Sequence, residues 1–258
     1  MTKVLTEQKG FVTVIRMNLP ERMNCLQKDL QNDLKDALRQ FKGNAESRVA
    51  ILTGSGRAFC AGGDLEELGS ALSTVEFYQI MKASEEIIEL ITDTPKPVIA
   101  AVNGAAAGAG FSIALACDLI VASTNALFMQ AFAKVGLIPD LGSFYFLPRV
   151  VGMHKAKELI WTARPVRAEE ALQMGIINKL VSPEKLEDEA MSLADKLAAG
   201  PPFAIGLAKT LLARSLTSNL RDMLQYEGMG QAICLSSDDN KEGIRAFYEK
   251  KDPVFRGK

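Results

Sequence analysis

Two short runs of small residues are where this chain could do chemistry. The first, Gly104 to Gly110 (GAAAGAG), follows an apolar strand-like run, Pro97 to Val102, and leads into an apolar segment, Phe111 to Ala116, that can continue as a helix. A turn built of Gly and Ala lets a ligand approach the backbone and leaves the first helical N–H groups unpaired. Those groups, with the positive end of the helix dipole, suit an oxygen that gains negative charge. The alternative is a tight strand-to-helix packing turn. The second run lies in GSGRAFCAGGD, Gly54 to Asp64, where Gly62 and Gly63 again offer N–H groups after a strand. Two such patches converging on one oxygen meet the physical demand of an oxyanion hole. A phosphate loop fits poorly there, because GK[ST] is missing and GSGRAF lacks the third glycine of a dinucleotide fingerprint.

His154 is the only histidine, so a Ser-His-Asp triad, a Cys-His pair or a multi-histidine metal site would have to use it. Its setting, GMHKAKEL, is basic and helix-like and reads as surface. Catalysis therefore falls to carboxylates, hydroxyls and backbone, and no metal site is expected.

The elements that must hold these groups read as follows. Phe11 to Met17 is β-rich, and Leu26 to Phe41 carries apolar residues at helical spacing. Arg48 to Thr53 is a second strand, Thr74 to Ile91 a helix, and Asp118 to Ala122 another strand. Gly136 to Gly142 is a loop entering an apolar, aromatic helix. From Lys155 the pattern is helical, with a β-like interval at Ile176 to Val181. No clean sequence repeat is visible. Strand and helix alternate early and helix dominates late, which predicts an α/β core over residues 1–199 and a helical appendage over 200–258.

The chain of 258 residues is 48% hydrophobic and 24% charged, an ordinary globular balance. A net charge of −1 gives no basic field for nucleic acid and no polybasic patch for a membrane. No apolar run reaches the roughly 18 residues of a membrane span, and MTKVLTEQKG has no apolar signal region. The cysteines at 25, 60, 117 and 234 lie far apart and read as buried thiols in a reducing cytosol.

NLPERMNCL, ILTGSGRAFCAGGDL, KPVIAAVNGAAAGAGFSIALACDLIVAS, GLIPDLGSFYFLPRVVG, ARPVRAEEALQMGIINKLV and EGIRAFYEKKDPVFRGK occur in this order from about residue 12 to the C-terminus. Together they resemble the crotonase (enoyl-CoA hydratase/isomerase) superfamily. The resemblance implies an α/β crotonase (ClpP-like) spiral of ββα units, a helical C-terminal trimerisation region and a homotrimer or hexamer. It also implies an acyl-CoA thioester as substrate, with coenzyme A part of that substrate and no separate cofactor. By matching motifs, Gly63 and Ala109 would be the oxyanion N–H donors. Leu26 and Ala61 match the adenine and pantetheine path, Phe132 belongs with the substrate-binding positions, and Phe247 and Lys250 match positions that reach a neighbouring subunit's CoA phosphates. Lys250 is equally a solvated lysine of the EKK run.

Hydratases of this superfamily place two glutamates across the substrate; at the matching positions this chain has Ser112 and Phe132. Asp140, in LIPDLGS, stands where isomerase-type members carry their acid/base. Its competing role is a helix N-cap, with Ser143 in the first turn. Burial among Phe132, Leu137 and Phe144 would raise its pKa toward neutrality. AAGAG, FMQAFAKVGLIPD and DPVFRGK are similar to the ring-opening isomerases that act on 1,2-epoxyphenylacetyl-CoA, themselves similar to Δ3,Δ2-enoyl-CoA isomerases. A nucleophilic Asp, as in 4-chlorobenzoyl-CoA dehalogenase, fits the LIPDLGSFYFLPR context less well. The reading is thus an acyl-CoA isomerase, with an enoyl-CoA hydratase and a non-catalytic acyl-CoA-binding subunit as alternatives. Asp64 is read as ordering its own loop, Asp118 as structural, and Tyr145 and Trp161 as core or interface residues.

Overall fold

The computed structural model describes residues 2–69 and 73–258. β1 (Val4–Lys9) and β2 (Val12–Met17) form an antiparallel hairpin around Gly10, whose φ is +56°. β1 escapes the sequence reading because five of its six residues are exposed, so it shows no apolar alternation. After α1 (Lys28–Gly43) the chain makes three passes of one pattern: a long strand, a short strand, then helix. The first is β3 (Val49–Gly54), β4 (Ala58–Cys60), α2 (Leu65–Leu68) and α3 (Thr74–Thr92). The second is β5 (Val98–Val102), β6 (Ala105–Ala107) and α4 (Ala109–Ala116). The third is β7 (Leu119–Ser123), β8 (Leu127–Met129), a 3-10 turn at Ala131–Val135 and α5 (Ser143–Val151).

Long strands join one six-stranded sheet, ordered β1-β2-β3-β5-β7-β10, and short strands a second, ordered β4-β6-β8-β9. Here β9 is Val166–Arg167 and β10 Lys179–Val181, separated by α7 (Ala168–Gln173) and preceded by α6 (Met153–Thr162). This is the α/β spiral of ββα units. The repeat is one of geometry, which is why no repeated sequence reveals it. The Gly104 to Gly110 run is accordingly not a single turn: Ala105–Ala107 is a strand paired with β4 and β8, and the helix starts at Ala109 rather than Phe111.

β3 and β5 are buried at every position because both faces of the sheet are covered. Ala50, Leu52, Val98, Ala100 and Val102 face the cluster that contains α1, α3 and α4. Val49, Ile51, Ile99 and Ala101 face a second cluster built on α8 (Leu186–Ala198), which presents Leu186, Ala190, Ala194 and Ala198 at four-residue intervals.

α9 (Pro202–Ser215), α10 (Leu220–Leu235) and α11 (Asp238–Glu249) follow. Lys209 Nζ ties α9 to the core, donating to Ile91 O at 2.8 Å and Asp118 Oδ2 at 2.7 Å, and Asp118 also accepts from Val98 N. Arg48 donates to Ala198 O and Phe255 O, both at 2.9 Å, and so holds the tail. Trp161 is 71% exposed and Tyr145 carries Arg149 over its ring at 3.6 Å, so neither is a core residue. Cys25, Cys60 and Cys117 are buried, but Cys234 is only half-buried. Among the described residues no helix is long and apolar enough to cross a membrane.

The two sheets meet at glycines. A Cβ on Gly104 would lie 2.0 Å from Arg57 O, and one on Gly43 would meet nothing within 4 Å. Gly104→Ala is expected to cost about 3 kcal/mol, roughly 6–12 °C in Tm for a chain of this size. Gly43→Ala is expected to stay within ~1 kcal/mol of wild type. Thermal unfolding followed by circular dichroism distinguishes the two.

Candidate active site

β4 leaves its sheet at Cys60 and bends through Gly62, whose φ of +96° favours glycine. Leu26 N donates to Gly62 O at 2.8 Å, and Leu26 pairs with Gly63 in an isolated parallel bridge. Leu26 therefore lies before α1, not within it. β6 leaves its sheet through Gly108, φ +51°, into α4. A Cβ on Gly62 would fall 2.8 Å from Ala107 O and 3.4 Å from Ala109 N; one on Gly110 would fall 2.1 Å from Cys60 O. The two small-residue patches thus abut. Neither the Gly63 N–H nor the Ala109 N–H has an acceptor among the described residues. Ala109 opens a wholly buried helix, so its N–H stands at the positive end of that helix dipole. Two preorganised donors beside each other can hold one carbonyl oxygen.

Asp140 sits on the loop into α5. Leu141 (φ +45°) and Gly142 (φ +82°) are both left-handed, and Gly142 is the helix N-cap with no side-chain capping bond. The Asp140 carboxyl is therefore not the cap; only its backbone carbonyl receives Ser143 N, at 3.0 Å. Asp140 Oδ1 is buried and is the one buried side-chain polar atom without a hydrogen-bond partner among the described residues. Burial pushes its pKa up to about 6, and its own backbone N–H offsets only part of that. The enclosure differs from the expected one in part. Phe132 is buried and lines the cleft with Asp140, and Leu137 lines it while 41% exposed. Phe144 is 54% exposed and does not line it, and Leu141 adds a buried residue to the wall.

The cleft holds about 700 Å³ and is lined by Asp140, Gly63, Ala109, Leu26, Ala61 and Phe132, among others. Phe247 and Lys250 are not among its lining residues. Phe247 is 79% exposed on α11, and Lys250 is the left-handed residue capping that helix. A second carboxylate, Asp64, also lines the cleft. It accepts from Gln27 Nε2 at 2.7 Å, Arg22 Nη2 at 3.0 Å and Glu66 N at 2.9 Å. The Gln27 bond leads these in holding Asp64 below the usual carboxylate range. One acid on the cleft is ionised and engaged; the other has a buried oxygen without a partner among the described residues and a pKa raised to about 6.

Ser112 is wholly buried in α4 and does not line the cleft, whereas the Phe132 ring does. Lys28 and Lys35 on α1, with Lys134, line the cleft and escaped the sequence reading. The signal was present: positions 28 and 35 lie two helical turns apart on one face. His154 is exposed. Among the described residues no three His, Cys, Asp or Glu side chains gather as a metal site.

The geometry matches known proteins. A family model described as enoyl-CoA hydratase/isomerase matches residues 7–258. The chain is 40% identical to a probable enoyl-CoA hydratase of Rhodobacter capsulatus, covering 96% of this chain and 95% of that protein. It is 38% identical to the 1,2-epoxyphenylacetyl-CoA isomerase of Escherichia coli, covering 97% of each. A crystal structure of an enoyl-CoA hydratase from Bacillus anthracis superposes with a TM-score of 0.95 at 33% identity, covering 99% of this chain and all of that one. Hydratase names predominate among the similar proteins.

The unpaired carboxylate gives a stability signature independent of any substrate. An acid whose pKa is higher in the folded state binds its proton more tightly there, so ionisation penalises folding. The penalty is absent below pH ~3.8, grows between pH 4 and 6, and is complete above pH 6. The stability advantage of Asp140→Asn over wild type is therefore expected to grow by up to ~3 kcal/mol from pH 4 to pH 8, read from urea unfolding at the two pH values. An advantage independent of pH would mean that Asp140 titrates normally.

Proposed function

The chain belongs to the enoyl-CoA hydratase/isomerase family, and we propose that it is an acyl-CoA isomerase in which Asp140 carries the proton. The observation that carries this reading is the buried, unpartnered Oδ1 of Asp140 on the same cleft as the two free N–H groups. In the proposed reaction Gly63 N–H and Ala109 N–H hold the thioester carbonyl of a 3-enoyl-CoA. The Asp140 carboxylate removes a proton from C2, and the electron pair flows into the C=O, giving a dienolate stabilised by the two N–H donors. The same carboxyl then returns the proton to C4 on the same face, and the double bond lies between C2 and C3. Nothing is consumed, and Asp140 ends as it began. A pKa near 6 leaves the carboxylate ionised at neutral pH yet keeps its acid form strong enough to give the proton back. Lys28 and Lys134, exposed residues lining the cleft, suit the phosphates of coenzyme A. An epoxide ring-opening by the same base is the related chemistry that the isomerase relative's name supports.

We further assign residues 200–258 to assembly as a homotrimer or hexamer of a cytoplasmic enzyme. Leu212 on α9, Leu216 at its C-terminal end, and Leu220 and Leu224 on α10 are exposed, apolar side chains that an interface would cover. Phe247 and Lys250, exposed beyond it, would in that assembly approach a neighbour's CoA. Hydration of a 2-enoyl-CoA is the second reading, and the hydratase names of most relatives favour it.

Turnover of a 3-enoyl-CoA and a 2-enoyl-CoA by wild type and Asp140→Asn separates these readings. Conversion of the 3-enoyl to the 2-enoyl thioester is expected in wild type and reduced by about 10²–10⁴-fold in the variant. Hydration of the 2-enoyl substrate that persists in Asp140→Asn would replace the isomerase by the hydratase reading.

A further inference from the structure

Behind the cleft runs a buried polar relay that the proposed chemistry does not use directly. Ser112 Oγ, in the first turn of α4, lies 3.3 Å from Gly108 O, 3.0 Å from Asp140 O and 2.8 Å from Ser143 Oγ. Ser143 Oγ in turn lies 2.9 Å from Gln130 Nε2. Ser112 and Ser143 are fully buried and Gln130 is 1% exposed. One donor direction serves the whole chain: the Gln130 amide donates to Ser143, Ser143 to Ser112, and Ser112 to the Asp140 carbonyl. Each proton is used once, and the relay ends on the residue that carries the unpaired carboxylate.

Its other contact is as specific. Gly108 C=O and Ala109 N–H belong to one planar peptide unit; Gly108 O accepts from Ser112 N at 3.1 Å, with Ser112 Oγ 3.3 Å away. A single buried hydroxyl thus touches the peptide that presents a free N–H and the residue that presents the carboxyl, from two separate segments. The Asp140 segment needs such a hold. Leu141, beside it, is a branched residue at φ +45°, a conformation that persists only where the surroundings impose it.

We propose that Ser112, locked by Ser143 and Gln130, sets the spacing between the Asp140 carboxyl and the Ala109 N–H and so positions the base for proton transfer. Ser112 does not line the cleft, so it acts through Asp140 and is a positioning residue. The proposal rests on the isomerase reading, and its test separates the two.

Ser112→Ala is expected to lower kcat for conversion of a 3-enoyl-CoA about 10–100-fold, with KM held within about threefold, as a misplaced base requires. Introduced into Asp140→Asn, the same change is expected to cause no further fall, since there is no base left to position. A kcat for Ser112→Ala within about twofold of wild type, or an equal fall in both backgrounds, overturns the positioning role while leaving the isomerase reading intact. An Asp140→Asn enzyme as active as wild type overturns the isomerase reading and the positioning role together. Should Ser112→Ala not fold, Ser143→Ala removes the next link and is expected to lower kcat about 3–10-fold with KM unchanged; unchanged kcat there also overturns the proposal.

Discussion

Where β4 ends and α4 begins, two backbones touch with no room for a side chain between them. A Cβ at Gly110 would lie 2.1 Å from Cys60 O, and one at Gly62 would lie 2.8 Å from Ala107 O. The architecture exists to make this contact. Each pass adds one strand to each sheet in parallel, so Cys60 and Ala107 leave the smaller sheet from adjacent strands. The turns that follow them are then neighbours, and each presents an N–H with no acceptor among the described residues. Small residues allow the approach, and the fully buried α4 and two-sided burial of β5 make it rigid. Donors held this way need no reorganisation when charge develops on a bound oxygen.

Three partly or fully buried aspartates show how the same side chain is turned to different ends by its partners. Asp64 accepts from Gln27, Arg22, the Glu66 N–H and the Cys25 thiol and is held below the usual carboxylate range. Asp118 is pushed up by burial, but Lys209 and the Val98 N–H oppose this, and the group serves as a tie between β5 and α9. Asp140 has burial opposed only by its own backbone N–H, and its Oδ1 has no partner among the described residues. Leaving a polar atom in that state costs stability, and proteins retain such costs mainly where a site requires them. Nothing in the packing around Asp140 demands a carboxylate, because the helix it precedes is capped by Gly142.

The legible parts of this fold were those carried by local pattern. The apolar runs of β2, β3, β5 and β7, the periodicity of α1 and α3, and the glycine motifs all stand in the sequence with their neighbours. What was hidden depends on neighbours distant in the chain. Ala105 to Ala107 is a strand only because β4 and β8 flank it; its sequence alone reads as a turn. The threefold ββα repeat has no sequence trace because each pass needs only a buried strand and a small-residue exit, which many residues satisfy. The burial of Asp140 was foreseeable from its apolar surroundings, but its full enclosure was not, since Phe144 lies off the cleft and Leu141 lines it instead. Ser112 was noticed for the glutamate it is not; its bonds to Asp140 O and Ser143 link positions about 30 residues apart and have no local signature.

The distinction between moving a double bond and adding water comes down to what can hold a water against carbon. On the cleft wall the polar groups are mostly occupied. Asp64 is engaged by Arg22 and Gln27, Gln31 accepts from Ser84 at 2.7 Å and donates to Leu26 O at 2.8 Å, and Lys35 reaches Ala83 O. At the two places where the hydratase glutamates would stand, the Ser112 hydroxyl is committed inside the protein and Phe132 presents a ring. Hydration needs one group to deprotonate and aim water and another to protonate carbon, two tasks in one event. Isomerisation makes the smaller demand, since one carboxyl that takes a proton from one carbon and returns it to another completes it. The shuttle proposed above asks for one carboxyl with a free oxygen, and Asp140 Oδ1 supplies it.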